Sequence, residues 1–381
     1  MEEPLVVYGE QSRRYDFGPA HPLTPRRFGP GIDMLRELGA GRFVEPEAAD
    51  DGTLARVHDP AYVDAVRRAS ETADDDPSAG LVSWGDNPPF VGMHRAAAIV
   101  AGGSLQAMEQ ILAGTTRHAF HPGGGLHHAM PGHASGFCVY NDPALAIARA
   151  RDAGLRVLYV DVDVHHGDGV QTIFWRDPGV MTISIHETGA ALFPGSGFLD
   201  ETGGGNARGT KVNVPLEPGT GDASWLAALE TVVPPLAEAF EPDVLVTQHG
   251  CDTHLFDPLA HVRLTTAAMA RAARLLDELA HSLTGGRWLA TGGGGYDAYR
   301  VVSRAWGLVW LAQAHREVPR ETPSGWRERW IDEAERYEQA PLPQTFIDPA
   351  GLAEPEPAVV VERNWKTTQR ALDQALAERA M

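Results

Sequence analysis

Short apolar runs recur through the middle of the chain without the alternation of a strand that has one wet face. Val157–Val164, Val180–Ile185, Val244–Thr247 and Trp288–Thr291 are of this kind and predict strands buried on both sides. Stretches of helical spacing separate them. Pro143–Ala153 follows Asp142, expected to cap it, and opens with a proline; Ala223–Phe240 follows Asp222; Thr266–Leu283 follows Thr265. Pro234 and Pro235 should break or kink the second of these. Buried strands alternating with helices imply an α/β fold: a central, mainly parallel sheet with helices on both faces. Beyond it, Pro341–Pro357 reads as an extended linker to a short helix near Val361–Ala380. The expected organisation is therefore a principal domain over 1–340, with 341–381 packed on or extending it.

Glycine-rich loops at 123–125, 167–169, 203–205 and 292–295 are expected just after strands and gathered at one edge, where parallel sheets bind ligands. The densest polar run is Asp161-Val162-Asp163-Val164-His165-His166-Gly167-Asp168. In a continuing strand Asp161, Asp163 and His165 share one face, and buried carboxylates beside an imidazole need a cation or hydrogen bonds to offset their desolvation. A further carboxylate, Asp252, follows another strand. Catalytic zinc takes three protein ligands and keeps an open position, so Asp163, His165 and Asp252 form one candidate set, with His249 and His254 as alternatives that spacing does not exclude. His127 and His128 follow a glycine loop and titrate in the range suited to general acid–base work. Tyr296, after four glycines, offers a phenol to a developing oxyanion. Taken singly, each feature also has a bland reading: a helix-cap aspartate, surface histidines, a packed tyrosine.

Length and composition narrow the field. The chain has 381 residues, enough for one large domain or two smaller ones, and 43% are hydrophobic, with no run suited to spanning a bilayer. Met1-Glu2-Glu3-Pro4 is unlike a signal peptide, and two cysteines, Cys138 and Cys251, suit a reducing compartment, so a cytoplasmic location is expected. A formal net charge of -19 repels a phosphate backbone, so nucleic acid is not an expected partner. Residues 204–211 look superficially like a phosphate loop but end Thr210-Lys211, the wrong order for one.

The same elements in this order resemble the metal-dependent histone deacetylase family, particularly its bacterial acetoin-utilisation branch. The likeness runs over residues 5 to 315 and includes His21-Pro22 with Arg26-Arg27, Val57-His58-Asp59-Pro60-Ala61-Tyr62, Ser135-Gly136-Phe137-Cys138-Val139-Tyr140-Asn141-Asp142, Ser184-Ile185-His186 and Phe193-Pro194-Gly195-Ser196-Gly197. It implies a single arginase-like domain and a hydrolase that removes acetyl groups from lysine-like side chains. On this resemblance Asp163, His165 and Asp252 are ligands of zinc, or of Fe²⁺ in the cell, and His249 and His254 are not. His128 is implied as general base and acid, His127 as its electrostatic partner, Asp168 and Asp161 as their respective orienting carboxylates, and Tyr296 as the carbonyl-polarising phenol. Phe137 and Phe193 match the walls of an acyl-lysine channel, Gly136 a channel position, Leu264 its rim and Arg27 the acetate exit. Asp161, Asp163, His165, Ser184 and Ile185 match a structural potassium site. Where the family often carries an aspartate at the channel mouth, the sequence suggests Asn87 with Asp86 beside it. The expected partner is an acetylated protein or a small acetylated amine; the oligomeric state is not legible. A polyamine deacetylase on the same core is the nearest alternative reading, followed by a two-manganese ureohydrolase and a non-catalytic scaffold.

Overall fold

A computed structural model describes residues 3–379; the expected helix end at Ala380 lies outside them. Eight strands, β1 (Leu5–Val7), β2 (Phe43–Val44), β3 (His118–His121), β4 (Val157–Asp161), β5 (Val180–Glu187), β6 (Lys211–Leu216), β7 (Val244–Gln248) and β8 (Trp288–Thr291), form one sheet in the order β2-β1-β3-β8-β7-β4-β5-β6. Every pairing is parallel. The four apolar runs became the contiguous centre, β8-β7-β4-β5. The flanking strands are too short or too polar to stand out: β3 is His-Ala-Phe-His, and β6 carries Lys211 and Asn213.

Alternation along each strand feeds two separate cores. Leu158 and Val160 of β4 pack with Ile32, Leu275 and Trp306 on one face. Val157 and Tyr159 pack with Ala97, Leu145 and Ile147 on the other. Both faces are thus covered by helices, as an all-parallel sheet requires.

Local details depart from the sequence reading. The helix Asp142–Asp152 is capped by Asn141, whose side chain accepts from Ala144 N, because Asp142 is engaged elsewhere. Thr265 does cap Thr266–Thr284. Asp222 opens its helix as the first residue and instead accepts two hydrogen bonds from Thr265. That helix runs unbroken from Asp222 to Phe240 through Pro234 and Pro235. The carbonyls deprived of donors belong to Glu230 and Thr231 on its wetter side, while Val232, Val233, Leu236 and Phe240 anchor the other side in the core. The C-terminal helix spans Ala358–Arg379, and Asn364 bonds Glu217 N and Thr220 Oγ1 at the sheet edge. Residues 341–357 are irregular yet packed: Phe346 is fully buried, and Asp348 pairs with the buried Arg304 at 2.6 Å. Among the described residues no helix is long and apolar enough to cross a membrane.

Candidate active site

The loops after β3, β8, β7 and β4, four neighbouring strands, meet at the carboxyl edge of the sheet. The glycine loop at 203–205 does not join them. It leads into the start of β6, its Gly204 N donating to Trp175 O, and so belongs to the opposite edge. The remaining three glycine loops line one side or another of a cleft of about 280 Å³, or support it from behind.

β4 ends at Asp161, so the next residues turn inward instead of continuing the pleat. That turn brings Asp163 Oδ1 within 3.0 Å of His165 Nδ1, and Asp252 Oδ2, from the loop after β7, lies 3.2 Å from the same nitrogen. The three donor atoms fall within 4.8 Å of one another, and all three residues are buried. Each carboxylate is held from outside. Asp163 Oδ2 accepts from Gln248 Nε2 at 2.7 Å and from Gly294 N at 2.9 Å; Asp252 Oδ1 accepts from Val164 N at 3.0 Å. Asp252 Oδ2 is buried without a properly directed hydrogen bond, despite its closeness to His165. Burial alone favours neutral His165, but the two carboxylates outweigh it and hold the imidazole up at about 10. That demand for positive charge is what a dication would meet, and ligands bind one in deprotonated form. The packing is also shaped for it: a Cβ on Gly250 would lie 2.0 Å from Asp163 Oδ2, and one on Gly294 1.9 Å from Asp252 Oδ2. Two carboxylates and an imidazole fit zinc or ferrous iron.

The paired imidazoles stand beside this cluster. His127 Nδ1 meets Asp161 Oδ2 at 2.7 Å, His128 Nδ1 meets Asp168 Oδ1 at 2.7 Å, and the two Nε2 atoms are 3.0 Å apart. With both Nδ1 positions turned to carboxylates, the Nε2 contact needs one proton between the rings. Burial opposes a charge on His127, but Asp161 and Asp163 overcome it and hold its pKa at about 9. Burial, then the neighbouring imidazoles of His127 and His165, push His128 well below the ordinary range. His127 is thus the donor in the pair and His128 the neutral base. Tyr159 OH completes the support of Asp161 at 2.7 Å. Tyr296 lines the same cleft; burial, with Asp252 and Asp163 nearby, raises its phenol well above the usual value and keeps it a hydrogen-bond donor. A π-helical turn, Ala298–Val302, follows it, an irregularity frequent beside functional residues.

Phe193 stands edge-on to His128 at 5.0 Å and Phe137 edge-on to Tyr296 at 5.9 Å. Gly136, at φ 51, lies between: a Cβ there would come within 2.5 Å of His128 and 2.8 Å of Phe193. Arg27 is buried and donates to Gly293 O at 2.6 Å. The β4–β5 register sets Asp161 beside Ser184, with Ile185 next in the strand.

Two residues expected at the channel rim are buried in the structure. Leu264 is 1% exposed and lines a separate internal cavity with Trp225, Cys251 and Met269, because a bridge to His254 draws it into the core. Asn87 is 2% exposed, tucked in by a turn in which Val82 N donates to its carbonyl, and its neighbour Asp86 is the exposed residue. Asp86 O meets His21 Nε2 at 3.2 Å, and the His21 ring stacks edge-on against Phe137 at 4.5 Å. The two other histidine candidates are engaged elsewhere, His249 with Thr247 Oγ1 and His254 with Asp348.

Sequence reasoning missed the residues that hold the loops. Asp142, fully buried, accepts from Gly125 N and Leu126 N; Asn141 Nδ2 donates to His127 O and Ala129 O. His58 in turn accepts from Asn141 N and faces Met130 O through Nδ1. Asp257 accepts from Tyr296 N. His58, Asn141 and Asp142 lie within stretches that carry the family likeness, which gave them no role of their own, and Asp257 has no such signal.

Comparison with known proteins agrees with this geometry. Residues 21–313 match the model of the histone deacetylase domain. The acetoin utilization protein AcuC of Bacillus subtilis is 41% identical over 98% of this chain and 97% of its own length. Its counterpart in Staphylococcus xylosus is 36% identical over 96% of each. Among solved structures, an HDAC homologue complexed with SAHA superposes with a TM-score of 0.83 at 29% identity, over 97% of this chain and all of that one. An HDAC homologue from Aquifex aeolicus gives 0.81 at 28%, again over 97% of this chain and all of that one. With the domain model matched over most of its length and relatives this similar end to end, the chain belongs to the histone deacetylase family.

Proposed function

We propose that the protein is a zinc-dependent hydrolase that removes acetyl groups from lysine side chains of proteins, with Fe²⁺ as an alternative metal. The observation that carries this reading is the facing arrangement of Asp163, His165 and Asp252 with the His127–His128 pair and Tyr296 in one cleft. A zinc ion held by the three ligands supplies a Lewis acid for the acetyl carbonyl and for a water molecule. His128 Nε2, neutral and oriented by Asp168, gives up the hydrogen bond from His127 as it takes a proton from the attacking water, and then passes that proton to the departing amine nitrogen. His127, charged and held by Asp161, keeps that returning proton on His128 only transiently, by like-charge repulsion. The Tyr296 hydroxyl donates to the carbonyl oxygen as it gains charge, a contribution worth on the order of 10²–10³ in rate.

Phe137 and Phe193 would grip the apolar lysine stem, and Asp86 would accept from the substrate backbone outside. Arg27 would attend the departing acetate. Asp161 and Ser184, with the backbone at Asp163, His165 and Ile185, would hold a structural potassium ion. The test compares acetyl-lysine peptides with acetylated spermidine and putrescine, using metal-reconstituted wild type, His128→Ala and Tyr296→Phe. We expect peptide turnover that falls at least ~10²-fold in either variant with zinc content unchanged. Full activity in either variant refutes the chemistry; turnover of the polyamines alone refutes the substrate.

A further inference from the structure

A second group of metal-ligand side chains lies at the opposite edge of the sheet. His118 begins β3; Asp277 and His281 stand one turn apart on the helix Thr266–Thr284; His315 follows the helix Ser303–Gln313 in a left-handed turn, φ 52. Each offers a ligand atom, and these atoms fall within 4.8 Å of one another. Asp277 Oδ1 is 3.3 Å from His315 Nε2, 3.5 Å from His281 Nε2 and 3.8 Å from His118 Nε2, while the Nε2 atoms of His281 and His315 are 2.8 Å apart. Tetrahedral ligands about 2.0–2.1 Å from zinc stand roughly 3.3–3.4 Å from one another, so these separations bracket the required edge.

Hydrogen bonding accounts for only part of the arrangement: the Nε2 atoms of His281 and His315 share one bond, while the other two ligand atoms have none. His118 is 4% exposed, and its Nδ1 faces Gln313 O at 2.8 Å; the carbonyl can only accept, so Nδ1 carries the proton and Nε2 presents a lone pair. That Nε2 has no hydrogen-bond partner, and neither does Asp277 Oδ1 at the centre of the group. An imidazole fixed through Nδ1–H to a backbone carbonyl, with its other nitrogen aimed at a shared point, is how metal-bound histidines are oriented. An exposed ring, His281, and a partly exposed one, His315, add their Nε2 atoms, so the point of convergence joins a strand start, a helix and a helix end.

We propose that His118, Asp277, His281 and His315 form a second, structural site for a tetrahedral divalent cation, with zinc the best match to three imidazoles and one carboxylate. The site is closed by four protein ligands and has no part in the hydrolysis. It ties the turn after Gln313 and the helix carrying Asp277 to the start of β3.

The experiment is metal counting by mass spectrometry on untagged protein, stripped with chelator, reloaded with zinc and passed through gel filtration. Wild type should retain two zinc ions per chain, His281→Ala/His315→Ala one, and Asp252→Ala the other one. The double variant should keep wild-type turnover of an acetyl-lysine peptide but lose the chelator-sensitive part of the wild-type melting temperature. His315→Gln, a single change at a partly exposed ring, covers the case in which the double variant misfolds, and should also retain one zinc. Because the two sites are counted separately, failure at Asp252 leaves this inference standing. One zinc in wild type that disappears in Asp252→Ala, or two zinc ions persisting in both His315 variants, overturns it.

Discussion

Gly250→Ala tests the ligand geometry without touching a ligand. Gly250 is not in the left-handed region that favours glycine, yet a methyl carbon there would fall 2.0 Å from Asp163 Oδ2 and 2.5 Å from its Cγ. Van der Waals contact begins at 3.4 Å, so the carboxylate must retreat by roughly 1.4 Å. A zinc–oxygen bond of about 2.0–2.2 Å cannot stretch that far. The retreat also breaks the 2.7 Å hydrogen bond from Gln248, whose Oε1 accepts from Gly250 N itself. Losing a supporting partner alone costs ~10–100-fold in metal affinity, so displacing a ligand should cost at least ~100-fold, about 2.7 kcal/mol. The assay is competition with a chromophoric zinc chelator, paired with deacetylase rates at rising free zinc. Activity should be low at trace zinc and recover partly when zinc is added. Gly52→Ala, where the nearest atom to the new Cβ is 3.6 Å away, serves as the control. Unchanged zinc affinity in a folded Gly250→Ala protein would refute Asp163 as a ligand.

Other changes probe the supports. Asn141→Ala removes a helix cap, strands the carbonyl of Ala129 and leaves that of His127 with Val170 N alone, so urea denaturation should show a loss of roughly 2–4 kcal/mol together with slower turnover. Arg304→Met leaves the Asp348 carboxylate buried beside His254 without its cation and should cost about 3–5 kcal/mol; a change under ~1 kcal/mol would show the pair to be solvated. Burial depresses His58 to about 4 and His121 and His249 to about 3, so from pH 6.5 downward the unfolded chain takes up protons that the folded one refuses. Their stabilising effect is full above pH 6.5 and falls away towards pH 4 and below, by about 3 kcal/mol for His58; Asp142, held up at about 6 by burial, offsets part of this. Denaturation midpoints at pH 7.5, 5.5 and 4.5 should decline in that order, and a flat profile would contradict the buried-neutral assignment.

Why the sequence marks the cluster of Asp163, His165 and Asp252 more clearly than the surroundings of the cleft follows from how each position is determined. Asp163, His165 and Asp252 were legible because carboxylates and imidazoles are costly to bury, so their presence beside apolar runs is itself a signal. The central strands were legible for the complementary reason, since β7, buried on both faces, has little choice of residue. At Asp86 and Asn87 no such cost discriminates: both are small and polar, and which one faces outward is set by a turn whose bonds run from Val82 and Gly85. A one-residue shift there exchanges an exposed acid for an exposed amide. Leu264 is a similar case, because a leucine suits a rim and a core equally and nothing in the sequence signals its bridge to His254. The same reasoning explains the second histidine group. His118, Asp277, His281 and His315 are separated by 159, 4 and 34 residues, and no local pattern marks them; the parallel sheet assembles them at its amino edge just as it assembles the cleft at its carboxyl edge. In this fold, the chemistry that one loop carries can be read from the chain, whereas chemistry shared among elements becomes visible only once strand order is known.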